Sequence, residues 1–254
     1  MGRKAFVMAF LRCDVMSKEL EMQTSLCVVL PDEGALKDAP VVYLLHGLSD
    51  NCSCWQRYTA AENYAREYGA VLVMPEVQRS FYTDMAQGLR YFSYVHDELP
   101  ALCARMFGVT NDPAKTYVMG LSMGGYGALK CALTSPERYA GCAAFSAVTD
   151  LRAAMADPGH DEHFMREMAA VFGGPLPEKD DIFLLAKDCA AHKKALPLFL
   201  ACGEQDALYP MNEKLRDTLR RAEWPLEWRS WAGIHDWYFW NEALRQALAY
   251  FLGK

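Results

Sequence analysis

Short, nearly wholly apolar runs separated by helix-length stretches constrain this chain more than any other feature. Residues 41–45, 70–74, 116–120, 141–147 and 196–201 show no polar alternation, the pattern of strands buried on both faces of a sheet. Between and after them lie stretches of helical period: 55–68 ended by Gly69, 91–107 followed by Gly108, 124–133, 211–222 and 236–252, with a further strand at 226–231. Pro100 falls inside the 91–107 stretch and is expected to kink it. Strands that alternate with helices build a mostly parallel sheet covered on both sides, an α/β architecture. The first two strand-like runs, 5–11 and 26–30, have no helix between them and are expected to form an antiparallel edge. Turn chemistry follows at Pro31-Asp32-Glu33-Gly34.

Residues 150–194 break this rhythm. Pro158, Gly159, Gly173, Gly174, Pro175 and Pro177 crowd the segment, which reads as a lid-like insertion over the carboxyl edge of the sheet with a short helix near 161–171. Neither a repeat nor a linker interrupts the remainder, so one domain is expected over 1–254.

Composition narrows the function classes. A formal net charge of −6 favours neither nucleic acid nor an anionic membrane surface. The run at 5–11 lacks a small-residue cleavage site, and no stretch approaches the roughly 20 apolar residues of a membrane span. Nine cysteines form an odd set in a large chain, several of them inside apolar runs, so reduced thiols and a cytoplasmic location are expected.

The chemistry-bearing segment is Gly120-Leu121-Ser122-Met123-Gly124. A G-x-S-x-G pattern acquires meaning where it joins a buried strand to a helix, and here Tyr117-Val118-Met119 precedes it and a helical run follows. Such a turn lifts the serine hydroxyl above the sheet edge on a strained backbone. Side chains at 120 and 124 would clash with the adjoining strand and helix. The helix N-terminus aims its amides at the reacting carbonyl.

Attack on an ester leaves negative charge on oxygen, for which two backbone N–H groups must be in place. Met123, directly after the serine, is one candidate. Leu48, in His46-Gly47-Leu48-Ser49-Asp50 after strand 41–45, is the other. The partners of such a serine follow in the order acid, then histidine. His235, after strand 226–231, is therefore the expected base, and His46 is expected to be a structural hydrogen-bonder. Strand 196–201 leads into Gly203-Glu204-Gln205-Asp206, where Asp206 is preferred as the acid and Glu204 is the alternative. Asp236 is a candidate helix N-cap.

With these residues in place, the chain resembles the esterase D branch of the α/β-hydrolases. Within that branch it resembles the bacterial tributyrin-esterase type, related to S-formylglutathione hydrolases and feruloyl esterases. The resemblance rests on residues 43–51, Met74-Pro75-Glu76, Ser80-Phe81-Tyr82-Thr83-Asp84, residues 120–129, Gly203-Glu204-Gln205-Asp206 and His235-Asp236-Trp237. It implies an α/β-hydrolase fold, a triad of Ser122, Asp206 and His235, and an oxyanion hole at Leu48 and Met123. S-formylglutathione hydrolases usually carry a cysteine just after the His-Gly-Leu turn, where this chain has Ser49-Asp50.

Trp55, Phe81, Tyr82, Trp237 and the insertion are candidates to line the substrate pocket. Cys52-x-Cys54 and His160-x-x-His163 lack a second ligand pair, so no metal is expected, and no cofactor motif is present. The expected activity is serine carboxylesterase action on short-chain acyl esters, through an acyl-enzyme. A thioesterase or acyltransferase, and a non-catalytic binding module on the same fold, are the alternatives. The expected partner is a small acyl ester, with no nucleic acid or membrane; association of further copies is left open.

Overall fold

The computed structural model describes residues 8–31, 34–157, 159, 161–192 and 194–253. The part of the first strand at 5–7, Asp32 and Glu33 of the expected turn, Pro158 and His160 lie outside the described residues.

Eight strands form one sheet in the order β1-β2-β4-β3-β5-β6-β7-β8. They are β1 (Met8–Ser17), β2 (Met22–Pro31), β3 (Val41–Leu45), β4 (Val71–Pro75), β5 (Thr116–Leu121), β6 (Gly141–Phe145), β7 (Leu198–Gly203) and β8 (Leu226–Trp231). β1 pairs antiparallel with β2, and β2 antiparallel with β4. The remaining pairs are parallel. The expected antiparallel edge is present, but both of its strands are longer than the apolar runs. β1 continues through Arg12, Cys13 and Asp14, because an edge strand needs only one covered face and tolerates polar residues on the other.

The helices are α1 (Cys54–Tyr58), α2 (Ala61–Tyr68), α3 (Tyr91–Ser93), α4 (Leu99–Phe107), α5 (Met123–Thr134), α6 (Leu151–Ala156), α7 (Glu162–Phe172), α8 (Ile182–Ala191), α9 (Tyr209–Arg221) and α10 (Trp237–Leu252). Alternate residues of each central strand enter two separate cores. Val41, Tyr43 and Leu45 pack with Tyr126 and Leu129 of α5 and Leu215 of α9. Val42 and Leu44 pack with Ala61 and Ala65 of α2 and Ala243 and Leu244 of α10.

Three departures from the sequence pattern have local causes. The helix expected over 55–68 is two helices, because Thr59 takes the Trp55 carbonyl with its hydroxyl and accepts from the Ala61 amide. The 91–107 stretch stays helical through a π-helical turn, Tyr94–Glu98. Pro100 has no N–H to give the His96 carbonyl, and the Arg138 guanidinium donates to it instead at 3.0 Å. Residues 150–194 hold three helices where one was expected. The last of them, α8, covers the sheet beside α5: the Cys189 thiol donates to the Leu133 carbonyl at 2.9 Å, and the Tyr126 hydroxyl to the Asp180 carbonyl at 2.8 Å. Among the described residues, α8 is therefore part of the helical layer beside α5 and α9, not of an insertion above the carboxyl edge.

Candidate active site

Ser122 sits between β5 and α5 with φ 52° and ψ −118°, left-handed backbone that a non-glycine residue adopts at a cost. The turn is held because its neighbours leave no other path. A Cβ at Gly120 would lie 2.2 Å from the Gly124 carbonyl oxygen. One at Gly124 would lie 2.4 Å from the Leu45 oxygen and 2.6 Å from that of His46. The amides of Ser122 and Val148 donate to the Phe145 and Ser122 carbonyls at 2.9 and 3.3 Å, tying the turn to β6.

Three residues distant in sequence meet above this turn. His235 Nε2 lies 3.1 Å from Ser122 Oγ, and His235 Nδ1 lies 2.8 Å from Asp206 Oδ2. A carboxylate only accepts, so the proton belongs on Nδ1. Nε2 is then free to accept from the serine hydroxyl. Asp206 is 4% exposed. Burial pushes its carboxyl up. Hydrogen bonds from His235, the Leu208 amide at 2.8 Å and the Ser146 hydroxyl outweigh that effect and hold it below the ordinary carboxylate value. Glu204 is exposed and takes no part in this row.

The loops bearing Asp206 and His235 are splinted together. A Cβ at Gly203 would meet the Gly233 oxygen at 2.4 Å. The Gln205 amide donates to the Gly233 carbonyl at 3.0 Å, and the Gly233 amide to Gln205 Oε1 at 2.8 Å. Asp236 caps α10, accepting from the Phe239 amide at 2.9 Å.

The loop after β3 is fixed as firmly. β3 and β5 are in register to Leu45 beside Gly120, which sets residues 46–48 next to Ser122. Trp55 Nε1 donates to the Leu45 carbonyl at 3.0 Å, and the Tyr82 hydroxyl to the His46 carbonyl at 2.9 Å. The Gly47 amide is taken by Asp50 Oδ2 at 3.1 Å. His46 is buried. It accepts from the Val77 amide at 3.2 Å and lies 3.6 Å from Glu76 Oε1, in keeping with a structural hydrogen-bonder. Met123 is the first residue of α5, so its amide has no carbonyl four residues back within the helix.

Two cavities open on either side of Ser122. The first, of about 460 Å³, is lined by Leu48, Phe81, Met123, Val148, Leu151, Phe164, Leu208 and Met211 among others, and is almost wholly apolar. The second, of about 450 Å³, is lined by Gly47, Leu48, Ser49, Asp50, His235, Asp236, Trp237 and Trp240 among others. Of the four residues expected to line the pocket, Phe81 faces the first cavity and Trp237 the second. Trp55 and Tyr82 are fully buried and line neither cavity. Their polar atoms hold the carbonyls that precede Leu48, which explains why they stand near the site without facing it.

Sequence reasoning missed Ser146, Gln205 and Glu76, which support the site from behind. Glu76 accepts from the Cys52 and Gln78 amides at 3.1 and 2.8 Å and so anchors the far end of the 46–54 loop. Met74-Pro75-Glu76 was visible as a motif, but nothing in it stated what it holds. Arg79 was also missed. It forms a forked ion pair with Glu167 of α7, its Nη2 donating to Oε2 at 2.8 Å, and its Nη1 reaches the Leu48 carbonyl at 3.5 Å.

A parallel sheet bearing a serine on a strained strand–helix turn, with an imidazole and a carboxylate in reach, defines an α/β-hydrolase of the serine-hydrolase class. The chain belongs to the Esterase family, whose model matches residues 17–251, in agreement with the esterase D-like motifs. It is similar to an acetyl esterase of Caldicellulosiruptor saccharolyticus, 27% identical over 94% of this chain and 97% of that protein. It is also similar to the S-formylglutathione hydrolase of Bos taurus, 33% identical over 51% of this chain and 54% of that protein. Among solved structures, the substrate-bound fluorophosphonate-binding serine hydrolase F of Staphylococcus aureus superposes with a TM-score of 0.89 at 28% identity, covering 97% and 99% of the two chains. This chain is accordingly a carboxylic ester hydrolase. Among the described residues, no helix is long and apolar enough to cross a membrane.

Proposed function

We propose that the protein is a serine carboxylesterase that hydrolyses short-chain acyl esters through an acyl-enzyme on Ser122. The observation that carries this reading is the row Ser122 Oγ, His235 and Asp206, with spacings of 3.1 and 2.8 Å. Ser122 Oγ attacks the ester carbonyl carbon while His235 Nε2 takes the hydroxyl proton. The carbonyl oxygen becomes an oxyanion held by the Leu48 and Met123 amides. As the intermediate collapses, His235 returns the proton to the departing alcohol oxygen. Water then repeats the sequence on the acyl-enzyme, releasing the acid and restoring Ser122.

The alcohol must leave on the side of His235, which lines the second cavity. The acyl group then occupies the first, beside Met123. We seat an acetyl to butyryl group in this apolar cavity, between Leu151, Phe164 and Met211. We place the enzyme in the cytoplasm, acting on a small diffusible ester; none of its nine cysteines forms a disulfide, which fits a reducing compartment. The similarity to an S-formylglutathione hydrolase over half the chain makes a thioester the second substrate to assay.

A fluorophosphonate should label one serine per chain and abolish hydrolysis, and Ser122→Ala should neither label nor turn over p-nitrophenyl butyrate. Wild-type protein that hydrolyses no acetate, butyrate or palmitate ester and takes no label would leave only a binding role. Palmitate outrunning butyrate would refute the short-chain reading, and S-formylglutathione outrunning every oxygen ester would make the protein a thioesterase.

A further inference from the structure

β1 closes one margin of the sheet: among the described residues it has β2 on one side and no strand on the other. Such an edge presents unpaired amides and carbonyls and is a template for another strand. This one is ten residues long, and its outer face shows Phe10, Arg12, Asp14 and Met16 in alternation, with Phe10 42% and Met16 61% exposed. Natural edge strands are usually short or defended by charge along their length. Here the charges occupy the middle and the large apolar side chains flank them.

Read about its centre, the strand is self-complementary. If two copies run antiparallel with the two-fold axis at Cys13, residue 12 faces 14 of the other copy, residue 11 faces 15, and residue 10 faces 16. Arg12 then meets Asp14 twice, Leu11 meets Val15, and Phe10 meets Met16. Each of these three pairs joins opposite charges or two apolar groups, the combinations that stabilise antiparallel neighbours, and beyond them Ala9 faces Ser17. The pairs also share faces correctly: 10, 12, 14 and 16 are the exposed set, while 11, 13, 15 and 17 turn toward the core. We propose that β1 pairs with β1 of a second copy of this chain, giving a two-fold dimer with one continuous sheet through both subunits.

The other margin of the sheet, β8, is the competing place for such pairing. It is six residues long, its Glu227 and Arg229 already pair with each other at 2.7 Å, and it contributes none of the exposed large apolar side chains. The observations therefore favour β1.

The test is the oligomeric state of the full chain, measured by sedimentation velocity across the micromolar range. The wild type should be a dimer. Asp14→Arg sets Arg12 against a second arginine at two places across the axis. It should raise the dimer dissociation constant by about ten- to a hundredfold. The exchange R12D/D14R restores opposite charges across the axis and should return the constant to within a few fold of wild type. β1 lies four strand positions from β5, about 19 Å away, so both variants should hydrolyse p-nitrophenyl butyrate normally, and this reports that they are folded. A monomeric wild type overturns the proposal. So does a dimer that Asp14→Arg leaves intact, or one that Arg229→Glu disrupts instead. If Asp14→Arg fails to fold, protection of the β1 amides from hydrogen exchange that increases with wild-type protein concentration still decides, and unprotected amides in a dimer overturn the proposal.

Discussion

The two cavities flanking Ser122 have nearly the same volume and quite different origins. The one toward His235 is framed by loops that leave the sheet directly: residues 47–50 after β3 and 235–237 after β8. Its walls are backbone, carboxylates and indole rings, each held by the strand that precedes it. The other is roofed by α6 and α7, which are not part of the strand–helix rhythm, and its lining is almost entirely aliphatic and aromatic. Chemistry that must be positioned to a few tenths of an ångström is thus mounted on the sheet. On the proposed reading, the selection of an acyl group, which needs shape more than alignment, is left to the added segment.

If the centre is common and the two sides are separable, mutations should sort accordingly. The largest effect belongs to His235→Ala, which should lower kcat about 10⁴-fold or more for every ester, whatever its acyl or alcohol part. Steady-state assays on an acyl series and an alcohol series would expose any ester that escapes, and one such ester would break the idea of a shared centre. Asp206→Asn should cost about 10³- to 10⁴-fold, since the imidazole loses its enforced tautomer. The same residue sets a pH dependence. Its folded carboxyl titrates below the unfolded one, so it adds stability above the ordinary carboxylate range, and that contribution disappears as pH falls through the folded value. Melting temperatures measured on the acid side should therefore fall more steeply for wild type than for Asp206→Asn.

The smaller effects should separate the two sides. Phe164→Ala removes part of the roof, and kcat/KM for hexanoate relative to butyrate should rise about tenfold while preference among alcohols stays put. Trp237→Ala should raise KM for aryl esters about fivefold against methyl esters, with the acyl-length profile unchanged. A Trp237 variant that alters chain-length preference would assign the cavities the other way round.

How much of this was legible beforehand follows the same division. Ser122, His235 and Asp206 could be named because each follows a recognisable strand and its expected role fixes the chain order. Leu48 could be put forward as an oxyanion donor because the run 41–45 is wholly apolar and leads into His46-Gly47. Trp55 and Tyr82 were misjudged because proximity in a motif does not say which way a ring turns; both rings face inward and bond to carbonyls. The supporting roles of Ser146, Gln205 and Glu76 could not be read because each holds another residue across a gap that only the folded sheet closes. Of the three helices of 150–194, α7 was expected, and α6 and α8 were hidden by prolines and glycines that end helices as readily as they forbid them. Asp150, Asp161 and Asp181 each cap one of these helices, and that was the available clue.

Gly124 leaves no gap against the carbonyls of Leu45 and His46. The Ser122 hydroxyl and the loop after Leu45 therefore cannot drift apart unless two central strands are pried open. Among the described residues the roof is held by the Arg79–Glu167 pair near the surface and by the Ala86 and Gln87 amides on the Val171 and Ala170 carbonyls at 2.9 Å. Warming should slacken the roof long before it touches the machinery beneath. A heated sample should grow less choosy about chain length while it still turns over, and should fall silent only when the whole sheet melts.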